Sequence, residues 1–214
     1  VSMAGVSMSQ VIVSERQMPA SAGAPVIDKA KGTPTLFHAG DAQAGYIRFD
    51  GTTSNLRITN PPALRFPAGC GVHLEFEFTY HEVLNTYPTL FSSYLWGGQT
   101  DNDDSMAIYL QNSGLGLSNT VGLYRTSRLE VALPNDSLVP GQDYSLIVGR
   151  EPEGRWFIKL NGVTTTSSHV PDTGELVFEG ASGGRGFQIG DTINGGGQGH
   201  AHMDLRKFLF KVFK

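Results

Sequence analysis

Residues 72–80 read VHLEFEFTY, and this stretch decides the fold class. Large apolar residues occupy every second position: Val72, Leu74, Phe76, Phe78 and Tyr80. The positions between them are polar: His73, Glu75, Glu77 and Thr79. Because successive side chains of a β-strand point to opposite faces, a period of two predicts a strand with one buried face and one solvated face.

The rest of the chain repeats this pattern in shorter runs. Apolar segments such as SMAIYLQ, GLGLS, VGLYR and RWFIKLNG are separated by turn-forming residues and are expected to be strands, and the 214 residues include 27 glycines and 11 prolines. Asn161 and Gly162, at the end of RWFIKLNG, predict a tight turn. No amphipathic helix of ten or more residues is evident. Many short strands with turn signals predict an all-β protein, an antiparallel two-sheet β-sandwich of the jelly-roll type spanning residues 44–214.

Residues 1–43 differ from the rest in composition. They are rich in small residues and proline, and only SQVIV has the character of a strand. Such a segment buries too little surface to order itself alone. It is predicted to be an N-terminal extended arm that packs either on protein partners in an assembly or along its own sheet.

Charge and composition exclude several partners. The net charge is −4 and no basic block occurs, so the chain lacks the electrostatic footprint of a nucleic-acid-binding protein. No stretch approaches the roughly 20 apolar residues of a membrane span. Cys70 is the single cysteine, and residues 1–17 lack the basic and apolar regions of a secretory signal.

Several motifs resemble the laminin-G-like and concanavalin-A-like sandwiches. IRFDGTTSNLRI (47–58) resembles the opening strand pair of that superfamily, and GVHLEFEFTY is similar to its next long strand. DYSLIVGREPEGRWFIKLNGV (143–163) resembles its hairpin, and FQIGD with MDLRKFLFKVF resembles the closing pair. The resemblance covers roughly residues 44–214 and implies a concanavalin-A-like jelly roll that tends to bind glycans or proteins.

Aromatic and polar residues near position 96 form a candidate ligand site. Tyr94, Trp96 and Gln99 bring together rings that stack on sugar faces and an amide that binds hydroxyls. Tyr87 and Tyr124 are further aromatic candidates. The alternative is that Trp96 caps the core of the sandwich.

The loop GGQTDNDDS (97–105) is acidic. Asp101, Asp103 and Asp104 offer the hard oxygen ligands that Ca²⁺ prefers, although the loop lacks the spacing of an EF-hand. Calcium is therefore a candidate ligand and no other cofactor is expected. The alternative is an Asx-rich turn between two strands.

Catalytic patterns are incomplete. Glu75 and Glu77 lie on one strand face, but the third acid typical of glycosidases on this fold is absent, which favours a solvated outer face. Cys70 lies between two glycines, and a free cysteine in such a position is predicted to be a small buried residue. His200 and His202 are expected on one side of a strand, where Asp191 or Asp204 would complete a metal site; the alternative is a polar strand edge.

These features predict a binding or structural protein that is not an enzyme. The preferred hypothesis is a virion component, such as a bacteriophage capsid decoration or tail-associated protein assembled in the host cytoplasm. It rests on the small-residue arm, the absent signal, the single cysteine and a glycan-binding-like module. The alternatives are a free, extracellular carbohydrate-binding lectin and a glycoside hydrolase or polysaccharide lyase.

Overall fold

The structure of the protein is a computed structural model. It describes residues 10–24, 26–28, 33–38, 41–57, 64–93, 106–125, 128–178, 187–191 and 199–213. Within these ranges no helix has the length and apolar character needed to cross a membrane.

The described residues form eighteen β-strands and one turn of 3₁₀-helix. In chain order the strands are β1 Gln10–Gln17, β2 Val26–Asp28, β3 Thr33–His38, β4 Asp41–Gln43, β5 Tyr46–Asp50, β6 Asn55–Arg57, β7 Leu64–Phe66, β8 Gly71–Tyr80, β9 Thr89–Ser92, β10 Met106–Tyr109, β11 Gly122–Arg125, β12 Arg128–Ala132, β13 Asp143–Arg150, β14 Trp156–Leu160, β15 Val163–Thr166, β16 Leu176–Phe178, β17 Gln188–Ile189 and β18 His202–Phe213. The 3₁₀ turn spans Ser113–Leu115, between β10 and β11.

Two antiparallel sheets form a sandwich, as predicted. Sheet A contains β15, β14, β13, β8 and β18 in that spatial order. On the side of β18 that faces away from β8, two strands pair with it: β5 with its first half and β1 with its second half. Sheet B has the order β12-β11-β10-β9-β17-β6-β3. A short ribbon of β7 and β16 stands apart from both sheets.

The N-terminal segment contributes strands to this framework. β1 runs antiparallel to β18, with Gln10 opposite Phe213, so this part of residues 1–43 lies along the chain's own sheet. β3 links the two sheets, because Thr33–Thr35 pair with β2 whereas Leu36–His38 pair with β6. The division of the chain at residue 44 and an arm that contacts a partner stay predictions.

The core lies between the two sheets and confirms the pattern of the long strand. Val72, Leu74, Phe76, Phe78 and Tyr80 are each at most 1% exposed and belong to one core cluster with residues of sheet B. On the outer face Glu77 is exposed, but Thr79 is buried. The hydroxyl of Thr79 donates to Asp143 and accepts from Arg206, whose side chains cover it.

Turn chemistry explains two connections. The predicted tight turn between β14 and β15 is present, with positive φ at Asn161 and Gly162. A strand was also expected at GLGLS (114–118), but this stretch contains the 3₁₀ turn. The side chain of Asn112 accepts from the N–H of Leu115, and Gly116 ends the turn with a left-handed φ of 71°.

The Asp50 turn joins β5 to β6 and matches the Phe-Asp-Gly motif of the sequence. The Asp50 carboxylate accepts the backbone N–H groups of Thr52 and Thr53, both at 2.8 Å, and that of Ser54 at 3.1 Å. Burial alone would raise the pKa of Asp50, but these hydrogen bonds outweigh it and hold the pKa well below 3.8.

We expect Asp50→Ala to lower the free energy of unfolding at pH 7 by about 1 kcal/mol, a modest loss because the carboxylate is largely exposed to water. The folded-state pKa is depressed, so this stabilisation is present above the unfolded pKa and is lost as pH falls through the folded value. Urea unfolding from pH 7 to pH 3 checks this: the gap between wild type and variant should shrink below a pH of about 4. Asp41→Ala, at an exposed aspartate of β4, is the control, and an unchanged gap across this range would contradict the role given to Asp50.

Candidate functional site

The outer face of sheet B carries an aromatic and apolar patch that is separate from the core. Along β10, Met106 and Ile108 point into the sandwich, whereas Ala107 and Tyr109 point to the other side. The patch is called the tyrosine face below and consists of Tyr87, Ala107, Tyr109, Leu115, Leu117, Tyr124, Leu129 and Ala132. Period-two alternation along β10 and β11 thus places one set of side chains in the core between the sheets and a second set on the outer face, where Ala107, Tyr109 and Leu117 are themselves buried in a smaller cluster.

The loop that follows β10 completes this face. Leu117 folds back over Gly122, where an added Cβ would lie 2.4 Å from the leucine Cδ1 and would have to displace that side chain. Asn135 fixes the loop from the other side. Its amide donates to the carbonyl of Gly116 at 3.0 Å and accepts from the N–H of Ser118 at 3.0 Å. These hydrogen bonds and the packing of Leu117 attach the loop to the sheet.

The tyrosines differ in exposure. Tyr109 is 2% exposed, whereas Tyr87 and Tyr124 are partly exposed at the surface of the patch. The rings of Tyr109 and Tyr124 meet edge to face, with centroids 6.4 Å apart and an interplanar angle of 66°. A tyrosine presents an apolar ring and a polar hydroxyl at once, so this face is suited to ligands that combine apolar faces with hydroxyl groups.

The predicted site residues divide into two groups. Tyr94, Trp96 and Gln99, with the candidate calcium ligands Asp101, Asp103 and Asp104, lie outside the described residues, so both sites stay predictions. Their segment connects β9 to β10, two strands of sheet B, and the N–H of Ser93 donates to the carbonyl of Met106 where the segment leaves and re-enters the sheet. Tyr87 and Tyr124 are brought together on the tyrosine face.

Tyr109 and Leu117 belong to this face but were not recognised from the sequence. The alternation in SMAIYLQ places Tyr109 opposite the core side, which was the available signal. Leu117 carried no such signal, because the expected strand at GLGLS is a 3₁₀ turn followed by a loop.

Glu75 and Glu77 form ion pairs. The Glu75 carboxylate lies 3.4 Å from the ammonium of Lys207 and also contacts that of Lys211, and Glu77 lies 3.4 Å from Lys207. Burial alone would raise the pKa of Glu75, but the two lysines outweigh it and lower the pKa. A general acid for glycoside hydrolysis needs a raised pKa, so Glu75 is poorly suited to that role.

The structure does not bring His200 and His202 into one metal site. β18 begins at His202, so the strand alternation expected for the pair does not extend to His200. His200 lies 3.7 Å from Asp191, whereas the His202 ring packs on that of His81 with centroids 4.8 Å apart. Among the described residues no group of three or more His, Cys, Asp or Glu side chains is placed to hold a metal ion.

Cys70 is fully buried, as expected, and its carbonyl accepts two hydrogen bonds from Arg150. Its position in the core is consistent with the small buried residue predicted from its glycine neighbours.

Neither a protein-family model nor a curated protein matches the sequence. Solved structures do match. The binding domain of botulinum neurotoxin serotype G superposes with a TM-score of 0.58 at 9% identity, over 94% of this chain and 47% of that one. Lectin II from Ulex europaeus superposes with a TM-score of 0.51 at 10% identity, over 83% of this chain and 92% of the lectin.

A sialidase of Trypanosoma rangeli, solved in complex with sialic acid, superposes with a TM-score of 0.54 at 12% identity. The match covers 93% of this chain but only 30% of the sialidase, so the chain spans less than a third of that enzyme. Together with the sheet topology, these similarities show that the fold is a two-sheet jelly-roll sandwich, like that of the Ulex europaeus lectin. The identities are low, so the similarity concerns the fold alone.

Proposed function

We propose that this protein is a non-catalytic glycan-binding sandwich and that a saccharide lies against the tyrosine face. The observation that carries this proposal is the partly exposed pair of rings, Tyr87 and Tyr124, on the outer face of a lectin-type sheet. Sugar rings have apolar C–H faces that pack on aromatic rings, and their hydroxyls bond with groups such as the tyrosine O–H.

The packing around the face supports the same function. Tyr109 is a buried member of the face and meets Tyr124 edge to face, while Asn135 binds the neighbouring loop through two hydrogen bonds and Leu117 of that loop packs over Gly122. A ring that is already positioned loses little freedom when a ligand arrives, which favours affinity. The predicted residues Tyr94, Trp96 and Gln99 follow β9 in sequence, and we propose that they extend this binding surface.

Binding without turnover is favoured over hydrolysis by the chemistry of the acidic strand. Glu75 has a lowered pKa and is paired with two lysines on sheet A, which is the opposite of what a proton-donating acid requires. The similarity to a sialidase covers under a third of that enzyme at 12% identity, so it gives no support to catalysis by this chain.

A glycan array tests the proposal, run with calcium and with a chelator, followed by a search for cleavage products with each retained glycan. We expect at least one glycan to be retained and to be recovered intact. Binding that needs calcium would support the ligand set Asp101, Asp103 and Asp104. No retention under either condition would contradict the function, and cleavage that persists in Glu75→Gln and Glu77→Gln would place catalysis elsewhere.

We further propose that the sandwich works as a virion component, with residues 1–43 making contacts in an assembly. The support is the composition of this segment, with its small residues and prolines, next to a compact binding module. Gel filtration with limited proteolysis tests it, since a stable monomer whose N-terminal segment is readily cleaved would count against assembly. A free extracellular lectin is the alternative that this outcome would favour.

A further inference from the structure

A pocket of about 320 Å³ opens on the outer face of sheet A, whereas the tyrosine face lies on sheet B. Its apolar lining comes from His73 of β8, Ile147 of β13 and Phe157 of β14. A volume of this size accommodates a single ring with its substituents. None of these side chains belongs to the tyrosine face, so the pocket is independent of the function proposed above.

Gly149 shapes the floor of this pocket. It pairs with His73 on one side and with Phe157 on the other, and an added Cβ would lie 2.9 Å and 2.8 Å from their rings. The two rings therefore close over the glycine, with centroids 5.4 Å apart and an interplanar angle of 85°. This packing of rings across a strand glycine fixes the floor without any flexible side chain.

The floor is uncharged at neutral pH. Burial lowers the pKa of His73, the nearby charge of Lys211 lowers it further, and Glu75 opposes both without reversing the direction. The imidazole is therefore neutral near pH 7. The floor of the pocket consequently offers apolar and aromatic surface to a ligand.

The walls of the pocket are polar and carry an excess of positive charge. Lys159 and Arg155 contribute two cations, and Glu151 contributes one anion. Lys207 and Lys211 on the same sheet are engaged by Glu75, whereas Lys159 forms no ion pair within the part of the chain that the structure describes. In the strand ladder Lys159 pairs with Ile147 on one side and with Thr164 on the other, and all three residues line the pocket.

We propose that this pocket binds a small ring-bearing carboxylate. The ring packs on Phe157 and Ile147, the carboxylate pairs with the Lys159 ammonium, and the Thr164 hydroxyl bonds with a polar substituent. A cation beside an apolar floor distinguishes such an acid from a neutral analogue of the same shape, because only the acid forms the charge-assisted hydrogen bond. The carboxylate can belong to a sugar acid or to an aromatic acid.

Titration by NMR, with glucuronate and benzoate as probes and glucose and benzyl alcohol as their neutral partners, tests the proposal. We expect saturable binding of at least one acid, about tenfold or more tighter than its neutral partner. Glucuronate as the tighter acid identifies a sugar-acid site, and benzoate identifies an aromatic-acid site. The absence of saturable binding by both acids would overturn the proposal.

Substitutions in the walls of the pocket show whether charge or shape determines the binding of the acid. Lys159→Met keeps the apolar stem and should weaken acid binding about tenfold, whereas Lys159→Arg should retain it. Glu151→Gln removes the opposing charge and should tighten binding. Glu153→Gln, at an exposed glutamate of the same turn outside the pocket lining, is the control and should leave binding unchanged. Equal acid binding by wild type and Lys159→Met would refute the assignment, whatever the result for the tyrosine face.

Discussion

Replacing Arg150 with methionine is expected to lower the free energy of unfolding by about 3–5 kcal/mol. Arg150 is 0% exposed, although it is a charged side chain. Its guanidinium donates to the carbonyl of Cys70 through Nε at 3.3 Å and Nη2 at 3.1 Å. Its Nη1 donates to the carbonyls of Asp172 and Gly174 at 3.1 and 3.0 Å.

The large loss of folding stability arises because the Arg150→Met variant leaves polar groups without their hydrogen-bond and ion-pair partners. Methionine fills most of the volume but donates no hydrogen bond, so the buried carbonyl of Cys70 loses both of its Arg150 donors and the less buried carbonyls of Asp172 and Gly174 lose one each. Asp172 loses one of two cations, because its carboxylate lies 3.5 Å from Arg150 and 2.8 Å from Arg125. Arg125 and Arg150 also lie over the ring of Trp156, at 5.5 and 5.8 Å from its centroid.

The ion pairs of Asp172 with Arg125 and Arg150 also determine how the stability of the Arg150→Met variant depends on pH. Burial alone would raise the pKa of Asp172, but Arg125 and Arg150 outweigh it and hold the pKa below its ordinary value of 3.8. The folded-state pKa is depressed, so stability is present above the unfolded pKa and is lost as pH falls through the folded value. Removal of Arg150 weakens that depression, so the variant should lose less stability than wild type on acidification below about pH 4.

Urea unfolding at pH 7 and across the acid range measures both effects. Arg155→Met is the matched control, because this arginine is exposed and, among the described residues, its side chain donates only to the carbonyl of Ser167, at 3.2 Å. We expect it to change stability by less than about 1 kcal/mol. Similar losses in the two variants would contradict the role given to the buried guanidinium.

Replacing Phe208 with alanine is expected to cost about 3–5 kcal/mol of folding stability. Phe208 is 0% exposed and lies on β18, in the middle of sheet A. Its ring contacts Phe76 of the same sheet, with centroids 5.2 Å apart. It also reaches across the sandwich to Phe91 at 6.3 Å and to Phe187, next to β17, at 5.7 Å.

Alanine at this position would leave a cavity between the sheets, because rings from both sides now converge on Phe208. A rigid, close-packed interior collapses only partly around such a gap, so the lost contacts are not recovered. Phe208→Leu retains most of the volume and should cost about 1–2 kcal/mol. Chemical denaturation of the two variants checks this order, and a loss below about 1 kcal/mol for alanine would mean that Phe208 does not join the sheets.

The sequence predicted those features that depend on local alternation and turn chemistry. The alternation in VHLEFEFTY identified all five inward residues of β8, and Asn161 and Gly162 form the expected tight turn. Both follow from the geometry of a few neighbouring residues, so no knowledge of the remaining chain was needed.

Features that depend on distant segments were not predicted. Thr79 is buried by Asp143 and Arg206, which are far from it in sequence. The pairing of Arg150 with Asp172 and Cys70 and the packing of Leu117 over Gly122 arise only when loops and strands are brought together. Periodicity identifies the face on which a side chain lies, but it does not identify what covers that face.

The central claim is that a saccharide binds at the tyrosine face, and the Tyr124 variants test it most directly. Calorimetric titration with a glycan retained on the array should show affinity reduced about two- to tenfold in Tyr124→Ala, because the stacking ring is lost. Tyr124→Phe keeps the ring and should bind more tightly than the alanine variant. Tyr46→Ala, at a partly exposed tyrosine of sheet A, should bind as wild type does. Wild-type affinity in both Tyr124→Ala and Tyr87→Ala would contradict the claim.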